Sequence, residues 1–259
     1  MSAPRVLILR TAGTNCDLET EHGFRLAGAK PDRVHINRLL ERSVRLADYQ
    51  ALVIPGGFSY GDDLSAGKVL ANELRLKLKD DLFAFAAAGR PVIGICNGFQ
   101  VLVKTGLLPG FNAGGGRLTL TFNDSGHFED RWVHLRCAGA SPLLEGLRNE
   151  TISLPVAHGE GKFLADGPET LERLKANGQV ALQYATPEGE PTLEFPANPN
   201  GSEAAVAAVT NQAGNVLGMM PHPERFLFYY SHPRWTRGEG KSQDGLRLIR
   251  SFVRYAAAG

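Results

Sequence analysis

Ten residues, Pro91 to Gln100 (PVIGICNGFQ), constrain the fold more than any other stretch of the chain. Val92, Ile93 and Ile95 make a short apolar, β-branched run entered through a proline, the pattern of a strand buried inside a parallel sheet. Cys96 follows at once, with Gly94 two positions before it and Gly98 two after, and G-x-C-x-G is the cysteine counterpart of the serine nucleophile elbow. A turn of that kind strains the backbone of the reactive residue between strand and helix, and the glycines remove side chains that would collide there. A thiol so placed meets unpaired N–H groups and the positive end of a helix dipole, which favour thiolate and oxyanion. A packed cysteine at a strand end, with glycines serving only the turn, fits the same residues, so the rest of the chain must decide.

The flanking segments read as β–α–β units. Val6 to Leu9 is a first strand, followed by the polar turn Thr11 to Asp17, in which Asn15 or Asp17 caps a helix ending near Gly28. Arg33 to Ile36 reads as an edge strand, and Arg38 to Asp48 as a surface connection or short helix. Ala51 to Pro55 is another buried strand that breaks at the pair Gly56-Gly57, where backbone N–H groups can approach a ligand at the carboxyl end of a parallel sheet. One helix is expected from about Gly67 to Ala88, and another from Asn97 to Thr105. Gly114 to Gly116 reads as a turn, after which strands at Leu118 to Phe122, Trp132 to Cys137, Ile152 to Val156, Val180 to Tyr184 and Ala204 to Thr210 make a β-rich middle. The last strand, Val216 to Met220, ends at Pro221-His222-Pro223-Glu224-Arg225, and an amphipathic helix from about Gln243 to Tyr255 closes an α/β chain.

With 259 residues the chain can bury the core of a single domain, 1–259. Twenty-eight basic residues against 27 acidic ones, without a basic cluster, point away from nucleic acid and membrane surfaces and toward a small-molecule substrate. Cys16, Cys96 and Cys137 are odd in number and widely spaced, so neither a disulfide framework nor a metal site is expected, and the compartment reads as reducing and cytoplasmic. Cys16 reads as a packed small residue rather than a second nucleophile. Gly240-Lys241-Ser242 imitates the end of a phosphate-binding loop, but Trp235 stands where its first glycine belongs.

His222 and Glu224, two apart in an extended segment past a strand, point the same way and toward the sheet edge that carries Cys96. A histidine there can share the thiol proton while the carboxylate orients the imidazole. Together with the elbow and the glycine pair, they make a candidate Cys–His–Glu triad.

Four motifs, GICNGFQ, PGGFSYGD, PVAHGEGKF and MMPHPER, together resemble the glutaminase component of phosphoribosylformylglycinamidine synthase, a class I, triad-type glutamine amidotransferase of purine biosynthesis. The resemblance runs from Val6 to the final helix. It implies a flavodoxin-like doubly wound fold with a mainly parallel central sheet and a β-rich insertion. Cys96 would attack glutamine, assisted by His222 and Glu224, with the N–H groups of Gly57 and Asn97 as the oxyanion hole and Gly56 and Gln100 positioning the substrate. Branch-specific residues Phe58, Ser59, Tyr60, Asp62, His158, Glu160 and Asn200 would contact a partner or shape an ammonia exit. No cofactor is implied for this chain; ATP and Mg2+ belong to the synthetase partner. The ANPNGS and SHPRWTRGEG segments resemble the fused form of the synthase and GLLPG and VLGMMPHPER the short separate subunit, whose complex has a small third subunit. A γ-glutamyl hydrolase or thiol peptidase on the same fold, and a non-catalytic subunit, are the competing readings.

Overall fold

The computed structural model describes residues 3–111 and 117–259, so the turn expected at Gly114 to Gly116 lies outside the described residues. In chain order the elements are β1 (Arg5–Arg10), α1 (Asp17–Leu26), β2 (Lys30–His35), α2 (Ile36–Leu40), β3 (Ala51–Ile54), α3 (Lys68–Lys77), α4 (Lys79–Ala87), β4 (Val92–Ile95) and α5 (Asn97–Thr105). They continue with β5 (Leu118–Thr121), β6 (Glu129–Cys137), β7 (Thr151–His158), β8 (Lys162–Ala165), α6 (Pro168–Ala176), β9 (Val180–Ala185), β10 (Val206–Thr210), β11 (Val216–Met219) and α7 (Asp244–Ala258).

Among the described residues, nine strands form one sheet in the order β2-β1-β3-β4-β11-β10-β9-β6-β7. The first five are mutually parallel, in the strand order of a flavodoxin-like sheet. Among the described residues every pairing from β11 onward is antiparallel, so the β-rich middle extends the main sheet, and β5 and β8 stand apart as a two-stranded ribbon. The chain steps to one side from β1 to β2 and to the other from β3 to β4, and right-handed crossovers then put their helices on opposite faces. Accordingly α1 packs on α7, with Phe24 edge-to-face on Phe252 at 5.5 Å, while α3 packs on α5. Between these layers Val6 to Leu9, Val53, Ile93 and Ile95 are buried, which is why β1, β3 and β4 read as continuous apolar runs.

Several expectations change in detail. The helix predicted from Gly67 to Ala88 is two, because Leu78 leaves helical geometry (φ −128°, ψ 15°) as it turns into the core, and Asp80 and Asp81 then open α4. Neither Asn15 nor Asp17 caps α1: Cys16 holds that position without a side-chain capping bond, and Asp17 pairs with Arg33 at 3.1 Å. The α6 helix, started by Pro168 and packed through buried Leu171 and Leu174, and the short β8 were not read from the sequence.

Candidate active site

Four loops meet at the carboxyl ends of the parallel strands, after β1, β3, β4 and β11. The elbow is as its glycines require: Cys96 has φ 51° and ψ −105°, a strained conformation between β4 and α5. A Cβ on Gly98 would stand 1.9 Å from the Ile54 carbonyl oxygen, and one on Gly94 2.4 Å from that of Gly98. The N–H of Cys96 donates to the Met219 carbonyl at 2.7 Å, which fastens the elbow to β11, the strand that delivers His222.

His222 is buried, and its N–H donates to the Pro155 carbonyl at 2.8 Å, fixing the loop against β7. Its Nδ1 lies 2.6 Å from Glu224 Oε1. The expectation that both residues share an extended segment is corrected: His222 is extended, but Pro223–Arg225 is a 3-10 turn, and that turn rather than strand alternation brings the carboxylate back onto the ring. Burial alone would lower the imidazole pKa, but Glu224, Cys96 and Cys16 together carry it well above its ordinary value. Nε2 of His222 and Oε2 of Glu224 are buried without a hydrogen-bond partner among the described residues. A ring held by its Nδ1 leaves Nε2 free for proton exchange in the cleft.

Cys96 and His222 open into one cleft of about 360 Å³, within the range of small-molecule sites. The Cys96 thiol lies 3.7 Å from the Ala157 carbonyl oxygen. Gly57, Phe58, Asp62, Gln100, His158 and Glu160 also line the cleft, as do Asn15, Phe122, Phe128, Asp130 and Arg225, which sequence reasoning did not single out. Arg225 could have been found, since it ends the MMPHPER motif. Phe122, Phe128 and Asp130 could not, because only the β5–β8 ribbon and the pairing of β6 in the antiparallel half bring them to this rim.

The remaining candidates divide by what they touch. Gly56 lies behind the imidazole, not in the cleft: a Cβ there would stand 2.8 Å from His222 Cε1, so its lack of a side chain makes room for the ring. Asn97 begins α5, where the first N–H groups have no intrahelical partner. Its side chain binds the glycine loop: Ser59 Oγ donates to Asn97 Oδ1 at 2.6 Å, and Asn97 Nδ2 donates to Asp62 Oδ1 and Gln100 Oε1, each at 3.0 Å. Gln100 in turn donates from Nε2 to the Glu160 carbonyl at 2.6 Å. Ser59 is therefore buried and internal, and Tyr60, at φ 55°, sends its hydroxyl to Glu73 at 2.5 Å. Asn200 is fully buried, donating to the Gly161 carbonyl at 2.8 Å, so it props the HGEG loop and presents nothing to a partner. Phe58 is 48% exposed at the cleft mouth.

His158 is not a second base poised near neutrality. Its Nδ1 lies 3.0 Å from Asn123 Oδ1, and because Asn123 Nδ2 donates to the His127 and His158 carbonyls, that oxygen accepts and Nδ1 carries the hydrogen. Burial, helped by the neighbouring His222, pushes its pKa down to about 4.

Donor atoms of Cys16, His222 and Glu224 lie within 4.8 Å of one another. The arrangement opposes a metal cation all the same, since Nδ1 is committed to Glu224 and the Arg225 guanidinium donates to the Cys16 sulfur at 3.3 Å.

This fold, with a cysteine elbow and a histidine–carboxylate pair at the carboxyl edge of its parallel strands, is that of the class I glutamine amidotransferases. The CobB/CobQ-like glutamine amidotransferase domain matches residues 3–256. The chain is 46% identical over 257 residues to phosphoribosylformylglycinamidine synthase subunit PurQ of Dehalococcoides mccartyi, covering 99% of each protein. It is 38% identical to the same subunit of Pyrococcus furiosus, covering 94% of each. A chain in the solved structure of PurLQS from Thermotoga maritima superposes with a TM-score of 0.76 at 31% identity, covering 98% of this chain and 99% of that one. This chain belongs to the PurQ family of phosphoribosylformylglycinamidine synthase subunits.

Proposed function

We propose that this chain is the glutaminase subunit of phosphoribosylformylglycinamidine synthase, hydrolysing glutamine to glutamate and handing ammonia to a synthetase subunit. The observation that carries the reading is the buried His222–Glu224 pair, 2.6 Å apart, opening into the same cleft as an elbow cysteine.

The chemistry follows from that arrangement. The Cys96 sulfur attacks the side-chain amide carbon of glutamine, and the oxyanion forms toward the N–H groups of Gly57 and Asn97. His222 Nε2, charged and steadied by Glu224, gives its proton to the departing nitrogen, the C–N bond breaks, and a γ-glutamyl thioester and ammonia result. The now neutral imidazole takes a proton from water, whose oxygen attacks the thioester. The C–S bond then breaks, releasing glutamate and returning the Cys96 sulfur and His222 to the state in which they began. Gln100, clamped between Asn97 and Glu160, shapes the wall against which glutamine lies.

Ammonia leaves for the synthetase, which uses ATP and Mg2+ to convert formylglycinamide ribonucleotide to the amidine. The likeness to a chain of the PurLQS structure supports assembly with a synthetase subunit, while the ANPNGS and SHPRWTRGEG segments, which resemble the fused form, leave a small third subunit open. Cys16, Cys96 and Cys137 are free thiols, and no helix among the described residues is long and apolar enough to cross a membrane.

In the assembled complex, Cys96→Ala is expected to abolish glutamine-dependent synthesis and leave ammonia-dependent synthesis intact. Equal loss of both would mean that the cysteine serves assembly. Cleavage of γ-glutamyl peptides without glutamine turnover, even with the synthetase present, would establish the hydrolase reading instead.

A further inference from the structure

Cys16 is a buried thiol for which the mechanism above has no use. It stands at the start of α1, 1% exposed, yet makes no capping bond to that helix. It is turned toward the site. Its S–H donates to Asn15 Oδ1 at 3.2 Å, and its sulfur accepts from the Arg225 guanidinium at 3.3 Å. A Cβ on Gly56 would lie 3.3 Å from that sulfur and 2.8 Å from His222 Cε1, so thiol and glycine pack along the same edge of the ring. Loops that follow β1, β3 and β11 thus converge on one sulfur atom.

The convergence matters because of what Arg225 would otherwise do. Glu224 precedes it in the chain, is buried, and has one oxygen on His222 and the other, Oε2, without a partner among the described residues. A guanidinium prefers a carboxylate to a thiol by geometry and charge, and binds it in a bidentate fork. If Arg225 closed on Glu224, the carboxylate would turn from His222 and its charge would be shared with a second cation. A sulfur acceptor on the Arg225 side holds the guanidinium off.

We propose that Cys16 is a positioning residue: it anchors Arg225 so that Glu224 stays committed to His222. The inference rests on the glutaminase reading above. The groups placed around the imidazole are Glu224 from its own turn, Cys96 from the elbow, Cys16 from the start of α1 and His158 from the end of β7, with the Arg225 guanidinium beyond them on the Cys16 sulfur. Cys16 also touches the imidazole edge directly, so a double variant, which lacks the same thiol and the competing cation as well, separates its hold on Arg225 from that contact.

The test compares wild type, Cys16→Ala, Cys16→Ser, Arg225→Gln and the double variant Cys16→Ala/Arg225→Gln in the assembled complex. Glutamine-dependent kcat, KM and pH profile are measured, with ammonia-dependent synthesis as the control for folding and assembly. Cys16→Ala should lose about 10-fold in kcat with KM changed by less than about 2-fold, and its alkaline limb should move to lower pH as the imidazolium loses part of its counter-charge. Serine, which keeps an acceptor, should stay within about 3-fold of wild type. In the double variant the competing cation is gone, so activity should exceed that of Cys16→Ala.

Wild-type kcat and profile in Cys16→Ala, or a double variant no better than the single one, would overturn the proposal. Parallel loss of ammonia-dependent synthesis would reject it in favour of a packing role. If wild type turns over no glutamine, the glutaminase reading itself fails, which the other outcomes leave standing.

Discussion

Glu224 acts at the residue scale through charge and direction together. Its carboxylate fixes the His222 tautomer and is one of the groups that raise the imidazole pKa above 6.5 despite burial. A raised histidine pKa means that the imidazolium persists above the ordinary histidine range and is lost as pH climbs through the raised value. Glu224→Gln should therefore lower glutamine-dependent kcat by about 10²–10⁴-fold and move the alkaline limb of kcat/KM to lower pH, which a pH–rate series would reveal. His158 behaves oppositely. Between the ordinary value of 6.5 and its own of about 4, the unfolded chain carries a proton that the folded chain does not, so stability falls as pH falls through that window, by up to about 3 kcal/mol. Urea melts at pH 5 and pH 7 should differ less in His158→Gln than in wild type.

Individual elements set how precisely those side chains are held. The start of α5 lies so close to β3 that only glycine fits at position 98, since an added methyl would enter the Ile54 carbonyl. Gly98→Ala should therefore destabilise the protein by about 3 kcal/mol or more, measured by denaturant midpoint. On the opposite side of the elbow, the Ser59–Asn97–Asp62 cluster pins the glycine loop to the same helix. Ser59→Ala removes one buried bond and leaves Asn97 Oδ1 with the weaker Ser59 N–H contact at 3.3 Å. A cost of about 1–3 kcal/mol and a several-fold drop in kcat, with ammonia-dependent synthesis unchanged, are expected.

The two halves of the whole molecule form one sheet, joined where parallel β11 meets antiparallel β10. The His222 N–H donates to Pro155, which lies in β7 at the far edge of the sheet, so the loop after β11 reaches across to the antiparallel half and closes the site against it. Such coupling predicts a single calorimetric transition with equal calorimetric and van't Hoff enthalpies. A separate, earlier transition of the antiparallel half would show two independently folding units.

What the sequence determined by itself was local chemistry. The elbow glycines, the buried runs of β1, β3 and β4, and the strand-ending His222-Pro223-Glu224 each declare themselves within about ten residues, because backbone strain, hydrophobic period and proline act over that distance. Tertiary structure decided what depends on residues far apart. It placed Gly56 behind a histidine, turned Asn200 inward, made Ser59 a partner of Asn97, and brought Asn15, Arg225, Phe122 and Phe128 to one rim. It also gave Cys16 its neighbours: a cysteine in a polar turn carries no mark of an arginine 209 positions away until the sheet brings the loops after β1 and β11 together.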